Sequence, residues 1–233
     1  MTAEVRFRGG EHESGEDTRF RRWLADLKQA GSNILITGEV PDEVSARATR
    51  TLFGRDLRRF RVLALTDQSV TNVDARLPDD ASSDDSSTWI IDQRRGERSV
   101  PATAGTLTSE LGSLQLDDIQ QLRNEIQTAI SFYDENADGL DPAELRVGVD
   151  SLFPLLEEDR EATQRALRTL GATVRGVQGM AHYHLRVSED DEIVDELMPL
   201  FDARIELRKR PRRTPEQRWY APEFDAKTPW MEL

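Results

Sequence analysis

Short runs of consecutive apolar residues alternate along the chain with longer stretches of helical periodicity. The apolar runs predict buried strands over residues 33–37, 61–65, 89–91 and 145–149. In the intervening segments, apolar residues recur every three or four positions and predict helices over residues 18–30, 43–53 and 116–132. Continuous apolar strands separated by helices are typical of a parallel sheet that is covered on both faces. The pattern therefore predicts an α/β fold.

The second half of the chain continues this alternation and then changes. We expect a helix around 160–170, strands near 173–177 and 182–187, a helix near 193–200 and a strand over 203–207. The segments around Trp219 and Trp230 predict an antiparallel end to the sheet. We expect residues 18–233 to form one domain, because strands and helices alternate throughout and end in antiparallel strands; the sequence contains no internal repeat. Residues 1–17 predict a flexible arm, and the acidic stretch 77–88 predicts a solvated loop.

Composition restricts the possible function classes. The 233 residues include no cysteine, which excludes disulfide scaffolds, zinc–thiolate sites, iron–sulfur proteins and cysteine hydrolases. The net charge is −13, and Lys28, Lys209 and Lys227 are the only lysines among 31 basic residues. Such a composition predicts adaptation to molar salt, where a screening length of about 3 Å suppresses self-repulsion; an ordinary acidic protein is the alternative. It also disfavours DNA binding across the whole surface.

The sequence contains no signal for a membrane. No apolar run reaches the roughly 18 residues that a membrane-spanning helix needs, and residues 1–22 are charged rather than signal-like. We therefore expect a soluble, cytoplasmic protein.

The segment from Gly38 to Ser45 stands where a phosphate-binding loop would lie, between the first strand and the second helix. A working P-loop reads G-x-x-x-x-G-K-[ST]: its backbone amides wrap the phosphates, its lysine neutralises them and its hydroxyl binds magnesium. Gly38 and Ser45 fit this pattern, but Glu43 replaces the second glycine and Val44 replaces the lysine. Glu43 adds a negative charge and a Cβ, and Val44 removes the cation. These changes predict a disabled nucleotide site; the alternative is a strand-to-helix turn without nucleotide ancestry.

Three segments taken together resemble the KaiC branch of the RecA-like ATPases: NILITGEVPDEVSARATRTLF at 33–53, LRVGVDSLFPLL at 145–156 and PLFDARIELR at 199–208. In particular, the chain is similar to the degenerate KaiC-like proteins of halophilic archaea, sometimes called HTR-like, whose function is unassigned. The resemblance runs over about residues 18–233. It implies a RecA/KaiC-like three-layer α/β fold with a mostly parallel central sheet and antiparallel C-terminal strands.

The resemblance also implies roles for single residues. Asp150 matches the Walker B aspartate, which helps to hold magnesium in the family, and Ser151 matches the serine that commonly follows it. Asp67 falls near the family's catalytic glutamates, although the local sequence TDQ departs from their pattern. The phosphate lysine has no counterpart, which implies a pseudo-ATPase. Gly38, Ser45 and Asp150 then form a vestigial nucleotide site, in which we favour a strand-end cap role for Asp150 over residual metal binding.

Three other motifs carry weaker signals. Residues 134–145 begin like a calcium loop, but Leu145 stands where an EF-hand needs glutamate. His182 and His184 share one side of a strand without a carboxylate at ligand spacing, so we expect no metal there. The basic cluster 208–213 is a candidate patch for nucleic acid or an acidic partner; the alternative, which we favour, is a charged hairpin tip.

Three functional hypotheses follow. The leading one is a non-catalytic regulatory or protein-interaction protein, with archaeal signalling, cell-shape or motility control as the context suggested by the resemblance. The second is a weak ATP-binding protein or NTPase completed by oligomerisation. The third is a nucleic-acid-associated regulator that uses the 208–213 cluster. We expect no catalytic residue and no resident cofactor or metal, with ATP and magnesium only if the altered site still binds. We expect a protein partner, and a monomer or dimer.

Overall fold

The computed structural model describes residues 15–55, 58–67, 73–93, 97–99 and 118–233. The helices are α1 (Gly15–Ala30), α2 (Asp42–Phe53), α3 (Asp118–Asn136), α4 (Phe153–Glu158), α5 (Arg160–Gly176) and α6 (Glu192–Leu197). The strands are β1 (Ser32–Thr37), β2 (Phe60–Leu65), β3 (Thr88–Asp92), β4 (Glu97–Ser99), β5 (Leu145–Val149), β6 (Met180–Leu185), β7 (Ala203–Arg208), β8 (Glu216–Ala221), β9 (Ala226–Lys227) and β10 (Met231–Glu232).

The described strands form one ten-stranded sheet in the order β10-β8-β7-β1-β6-β5-β2-β3-β4, with β9 paired to β8. The run from β7 to β3 is parallel throughout. The strands β4, β8, β9 and β10 pair antiparallel with their neighbours. This confirms the predicted mostly parallel sheet with antiparallel C-terminal strands. The strand β6 lies between β1 and β5, so strands that are distant in the chain become neighbours.

Side chains that alternate along the strands face two helical layers. Leu35 packs in one cluster with residues of α3, α4 and α5. Its neighbours Ile34 and Ile36 lie on the opposite face, in a cluster with α1, α2 and the C-terminal strands. In that second cluster, Trp23 and Trp219 meet edge to face with ring centroids 6.4 Å apart. The described C-terminal strands therefore extend the sheet and contribute Trp219 to the cluster on this face.

The predicted strand near 173–177 is wrong, because α5 continues to Gly176. The buried residues Leu167, Leu170 and Val174 keep the three- and four-residue spacing of a helix. Asp159 caps the start of α5 by accepting a hydrogen bond of 2.9 Å from the backbone N–H of Ala162. Packing of this face against α3 and β1 outweighs the strand preference of its β-branched residues.

Several predicted boundaries move by a few residues. The first helix begins at Gly15, ahead of the predicted start at Thr18, and residues 1–14 of the predicted arm lie outside the described residues. Residues 116 and 117 of the predicted third helix also lie outside them. The acidic stretch 77–88 consists of turns and bends until Thr88 begins β3. Among the described helices, none has the length and apolar character that would let it cross a membrane.

Candidate functional site at the carboxyl edge of the sheet

Three residues singled out from the sequence, Gly38, Asp67 and Asp150, lie at one edge of the sheet. Because β1, β6, β5 and β2 are adjacent and parallel, the segments that follow them emerge side by side. Gly38 follows β1, Asp67 follows β2, Asp150 follows β5 and Arg186 follows β6. We call this region the carboxyl edge.

The loop between β1 and α2 is folded back onto the sheet. Gly38 has φ 122°, and a Cβ at this position would lie 2.1 Å from the Leu207 carbonyl oxygen, so only glycine fits. The N–H of Gly38 donates to the Val187 carbonyl at 2.8 Å, and the N–H of Val40 donates to the Gly38 carbonyl at 3.0 Å. Pro41 has no N–H to offer. The amides of Gly38 and Val40 therefore bond within the protein.

Charged side chains close the space at the start of α2. Asp42 Oδ1 lies 2.5 Å from Nη2 of Arg76 and 3.5 Å from Nη1 of Arg186. Arg186 also forms an ion pair with Asp67. The side chain of Arg76 is 1% exposed, whereas that of Asp42 is 33% exposed. The N-terminus of α2, which attracts negative charge, thus has a carboxylate of the protein beside it, held by two arginines.

Asp150 links the ends of two strands. Its Oδ1 accepts a hydrogen bond of 2.7 Å from the backbone N–H of Thr66 and lies 3.0 Å from the Thr66 hydroxyl. The Thr66 hydroxyl also lies 2.6 Å from the Ser151 carbonyl oxygen. Asp150 is buried. These contacts tie the segment after β5 to the segment after β2.

The remaining residues of the altered P-loop pattern lie on α2. Val44 is buried in the cluster that contains Trp23 and Ile36. Ser45 is also buried, and its hydroxyl has no hydrogen-bond partner among the described residues. Glu43 is exposed. Val44 at the lysine position is therefore a core residue of α2.

The two histidines of β6 are buried beneath α2. The Nε2 of His184 lies 2.8 Å from the Thr49 hydroxyl, and the ring of His182 meets that of Phe53 edge to face at 5.2 Å. Burial lowers the pKa of His184 to about 3, with a further contribution from the charge of Arg76. Burial, followed by His184 and Arg146, also lowers the pKa of His182 well below 6.5. Both rings are therefore neutral at pH 7.

The described residues contain no group of three or more His, Asp or Glu side chains that could hold a metal ion. In the calcium-like segment, the N–H of Gly139 donates to the Asp134 carbonyl at 3.0 Å, and the N–H of Asp141 donates to Glu144 at 2.9 Å. The segment is thus a turn that leads from α3 to β5.

The basic cluster 208–213 lies at the tip of the hairpin formed by β7 and β8. Glu216 accepts hydrogen bonds from Arg208 at 2.9 Å and from Arg210 at 3.0 Å. The Arg208 guanidinium also lies 3.7 Å from the centroid of the Trp230 ring, a cation–π geometry. Lys209 donates to the Arg213 carbonyl at 2.6 Å. Part of the cluster is thus neutralised within the hairpin.

Comparisons with known proteins agree with this architecture. The model of a family of unknown function, DUF7504, matches residues 31–207. The chain belongs to this family. A KaiC-like protein from the hyperthermophilic archaeon Pyrococcus horikoshii has a similar solved structure, with a TM-score of 0.52 and 11% sequence identity over 83% of this chain and 80% of that one. The likeness shows that this DUF7504 protein has the KaiC-like RecA fold. No curated protein sequence matches the chain.

Sequence reasoning missed the charge pairing that surrounds the α2 N-terminus of this DUF7504 protein. It identified Asp67 and the loop that contains Asp42, but not Arg76 or Arg186. The local sequence carries no signal for these two arginines. Arg61 and Arg146 do interrupt otherwise apolar strands, but these buried charges, which need partners, lie at the opposite edge of the sheet.

Proposed function

We propose that this DUF7504 protein is a non-catalytic regulatory protein, a pseudo-ATPase that retains the KaiC-like fold and acts by binding a protein partner. The observation that carries the proposal is the ion-paired Asp42 at the start of α2. A carboxylate held there by Arg76 and Arg186 stands where a functional P-loop would hold phosphate. A triphosphate would meet this negative charge and that of Glu43.

The residues present do not fit a magnesium-bound triphosphate. The amides of Gly38 and Val40 donate to protein carbonyls, and Pro41 has none to donate. Val44 packs in the core instead of supplying a cation. Since catalysis of phosphoryl transfer relies on positioning and neutralising the phosphates, these features together support a loss of activity.

Asp150 and Ser45 have structural surroundings that support the same proposal. Asp150 Oδ1 accepts a hydrogen bond from the N–H of Thr66, which supports the proposal of a strand-end role over magnesium binding. Ser45 is 1% exposed, so its hydroxyl lies away from the space that a ligand would enter. These surroundings support structural roles for both residues.

Phe153 supports a partner surface at the carboxyl edge. It begins α4, three residues after Asp150, and is 48% exposed. Among the described residues, it is the one exposed large hydrophobic side chain. Exposed aromatic side chains are enriched among the anchors of protein interfaces. We propose that the partner contacts this side chain. The suggested context of signalling, cell-shape or motility control in a halophilic archaeon belongs to this proposal as well.

The decisive experiment is a thermal unfolding series with millimolar Mg·ATP, accompanied by a phosphate-release assay. We expect no shift in the melting temperature and no phosphate release for the wild type. The assay is sensitive enough to detect binding, because a ligand at about 100 times its dissociation constant would add roughly 2.7 kcal/mol to the free energy of unfolding. In the double variant Glu43→Gly/Val44→Lys, which restores the P-loop residues, a gain of nucleotide affinity would support ancestry from an ATPase.

A wild-type shift with Mg·ATP that is lost in Asp150→Asn would contradict the proposal. It would favour the weak ATP-binding protein or the NTPase completed by oligomerisation. Running the series at two protein concentrations separates these two, since only an oligomer-dependent site strengthens with concentration.

A further inference from the structure

A cavity of about 240 Å³ lies at the amino edge of the sheet, opposite the carboxyl edge. Its walls come from the end of α1, the residues before β2, the turn that leads into β5, and β5 itself. The charged lining residues are four cations and two carboxylates: Lys28, Arg58, Arg59, Arg146, Asp141 and Glu144. The cavity thus has a positive balance in a chain whose net charge is −13.

Arg146 is the buried member of this lining, with 5% of its surface exposed. Within the described part of the chain, its Nη1 donates to the Met180 sulfur at 2.7 Å, a weak acceptor, and its Nε has no acceptor. Neither Arg146 nor Lys28 forms an ion pair with a described carboxylate. A buried guanidinium without an anion is unfavourable. Arg146 thus lacks an anionic partner among the described residues.

Neighbouring cations raise this unfavourable energy. Arg61 stands directly opposite Arg146 in the register of β2 and β5, and its own Nη atoms donate to the carbonyls of Arg59 at 3.1 Å and Gly54 at 2.9 Å. Burial, followed by the charges of Arg59 and Arg61, lowers the pKa of Arg146 to about 9. Burial, followed by Arg146 and Arg59, lowers the pKa of Lys28. A bound anion would relieve this repulsion.

We propose that this cavity binds a small phosphate-bearing anion. Lys28 on α1, Arg59 before β2 and Arg146 on β5 line it from three different segments. Arg59 also donates from Nη1 to the Phe53 carbonyl at 3.0 Å. Cations from three segments suit a tetrahedral group with several oxygens better than a planar carboxylate. A phosphate monoester offers three strong acceptor oxygens and about −1.5 to −2 charge at pH 7. The volume exceeds the roughly 30 Å³ of a water molecule several-fold. It therefore leaves room for a small organic group. The carboxylates of Asp141 and Glu144 can accept hydrogen bonds from the hydroxyls of such a group.

This inference is independent of the proposed loss of ATPase activity, because it concerns the opposite edge of the sheet. It is tested by calorimetric titration of inorganic phosphate, glycerol phosphate and acetate into the full chain, with ionic strength held constant by KCl. The test variants are Lys28→Gln, at an exposed position that leaves the fold intact, and Arg146→Met. The matched control is Lys209→Gln, another exposed lysine, on the β7–β8 hairpin.

We expect saturable phosphate binding to the wild type and to Lys209→Gln, and binding at least about tenfold weaker in both cavity variants. Tighter binding of glycerol phosphate would identify the ligand as a phosphorylated small molecule, and equal binding would identify it as free phosphate. The proposal is overturned if the wild type does not bind phosphate, if acetate binds as tightly, or if Lys28→Gln keeps the wild-type dissociation constant.

Discussion

Each edge of the sheet holds a buried arginine, but the two arginines have different partners. At the carboxyl edge, Arg76 lies 2.5 Å from the Asp42 carboxylate. At the amino edge, Arg146 donates to the Met180 sulfur and has other cations around it. Burying a guanidinium is tolerable when an anion accompanies it. The comparison therefore separates a charge that is balanced within the protein from one that is left for a ligand to balance.

The charges of these two arginines affect the pKa values of the two histidines of β6. After burial, Arg76 is the cause that lowers the pKa of His184, whereas Arg146 contributes to lowering that of His182. Both edges thus act on one strand in the middle of the sheet. The carboxyl edge is thus closed by internal charge pairing, whereas Arg146 at the amino edge has no ion pair with a described carboxylate.

Removing Asp42 should have the largest effect. The variant Asp42→Asn leaves the guanidinium of Arg76 buried without its anion, so we expect the free energy of unfolding to fall by about 3 kcal/mol. Urea unfolding measures this loss. The neighbouring exposed change Glu43→Gln serves as the control and should stay within about 0.5 kcal/mol of wild type.

A compensating variant makes that prediction stricter. Replacing both partners, as Asp42→Asn/Arg76→Met, removes the buried charge together with its anion and should recover much of the lost stability. If Asp42→Asn alone lowers the free energy of unfolding by less than about 1 kcal/mol, Arg76 does not depend on its anion, and the proposed difference between the two edges fails.

Acid should destabilise the protein through the buried histidines. The pKa of His184 is about 3 in the folded chain and ordinarily 6.5, so between these values the unfolded chain binds a proton that the folded chain does not. The contribution of a buried neutral histidine to the free energy of unfolding is thus fully present above pH 6.5. As the pH drops below this value, the contribution of each such histidine falls by about 1.4 kcal/mol per pH unit. The variant His184→Gln should reduce that slope by one histidine, as measured by urea unfolding from pH 6.5 to 4.5.

The carboxylates of the protein also contribute to this slope, but equally in both chains. The difference between wild type and His184→Gln therefore isolates one residue. Identical slopes would mean that His184 is protonated in the folded protein, contrary to its burial.

The sequence predicts the strands well and the ion pairs poorly, for a physical reason. A mostly apolar run such as residues 61–65 predicts a buried strand without any knowledge of its neighbours, because a continuous local apolar pattern is typical of parallel strands. The ion pair between Asp42 and Arg76 joins residues 34 positions apart, and its contact with Arg186 spans 144 positions. Such pairs depend on the strand order, in particular on β6 lying between β1 and β5.

The helix α5 illustrates the opposite failure. Residues 173–177 look like a strand locally, yet packing against α3 makes residues 173–176 helical, and Val177 follows the end of α5. The loop between β1 and α2, by contrast, follows from local pattern: a glycine, Gly38, comes directly after a buried strand and before a helical period, which marks a turn.

Replacing the unbalanced arginine should change stability in the opposite direction from the loss of Asp42. The variant Arg146→Met removes a buried charge surrounded by Lys28, Arg59 and Arg61, so we expect a gain of about 1 kcal/mol in the free energy of unfolding in phosphate-free buffer. The matched control is Arg76→Met, a buried arginine at the other edge that has an anion, and it should lose stability. If both variants lose stability equally, Arg146 is balanced within the protein and the contrast between the edges fails.

The smallest change in stability should come from Phe153, which belongs to the carboxyl edge but not to its ion pairs. The side chain is 48% exposed, so Phe153→Ser should alter the free energy of unfolding by no more than about 0.5 kcal/mol. In the same helix, Leu155 is 3% exposed, and Leu155→Ser should destabilise the protein by several-fold more. An exposed aromatic residue that the fold does not need is a candidate for binding.

Affinity capture from the source organism, compared between wild type and Phe153→Ser at equal stability, should therefore lose one specific protein. Retention of every captured protein would remove Phe153 from the proposed partner surface and leave the closed carboxyl edge without a known contact.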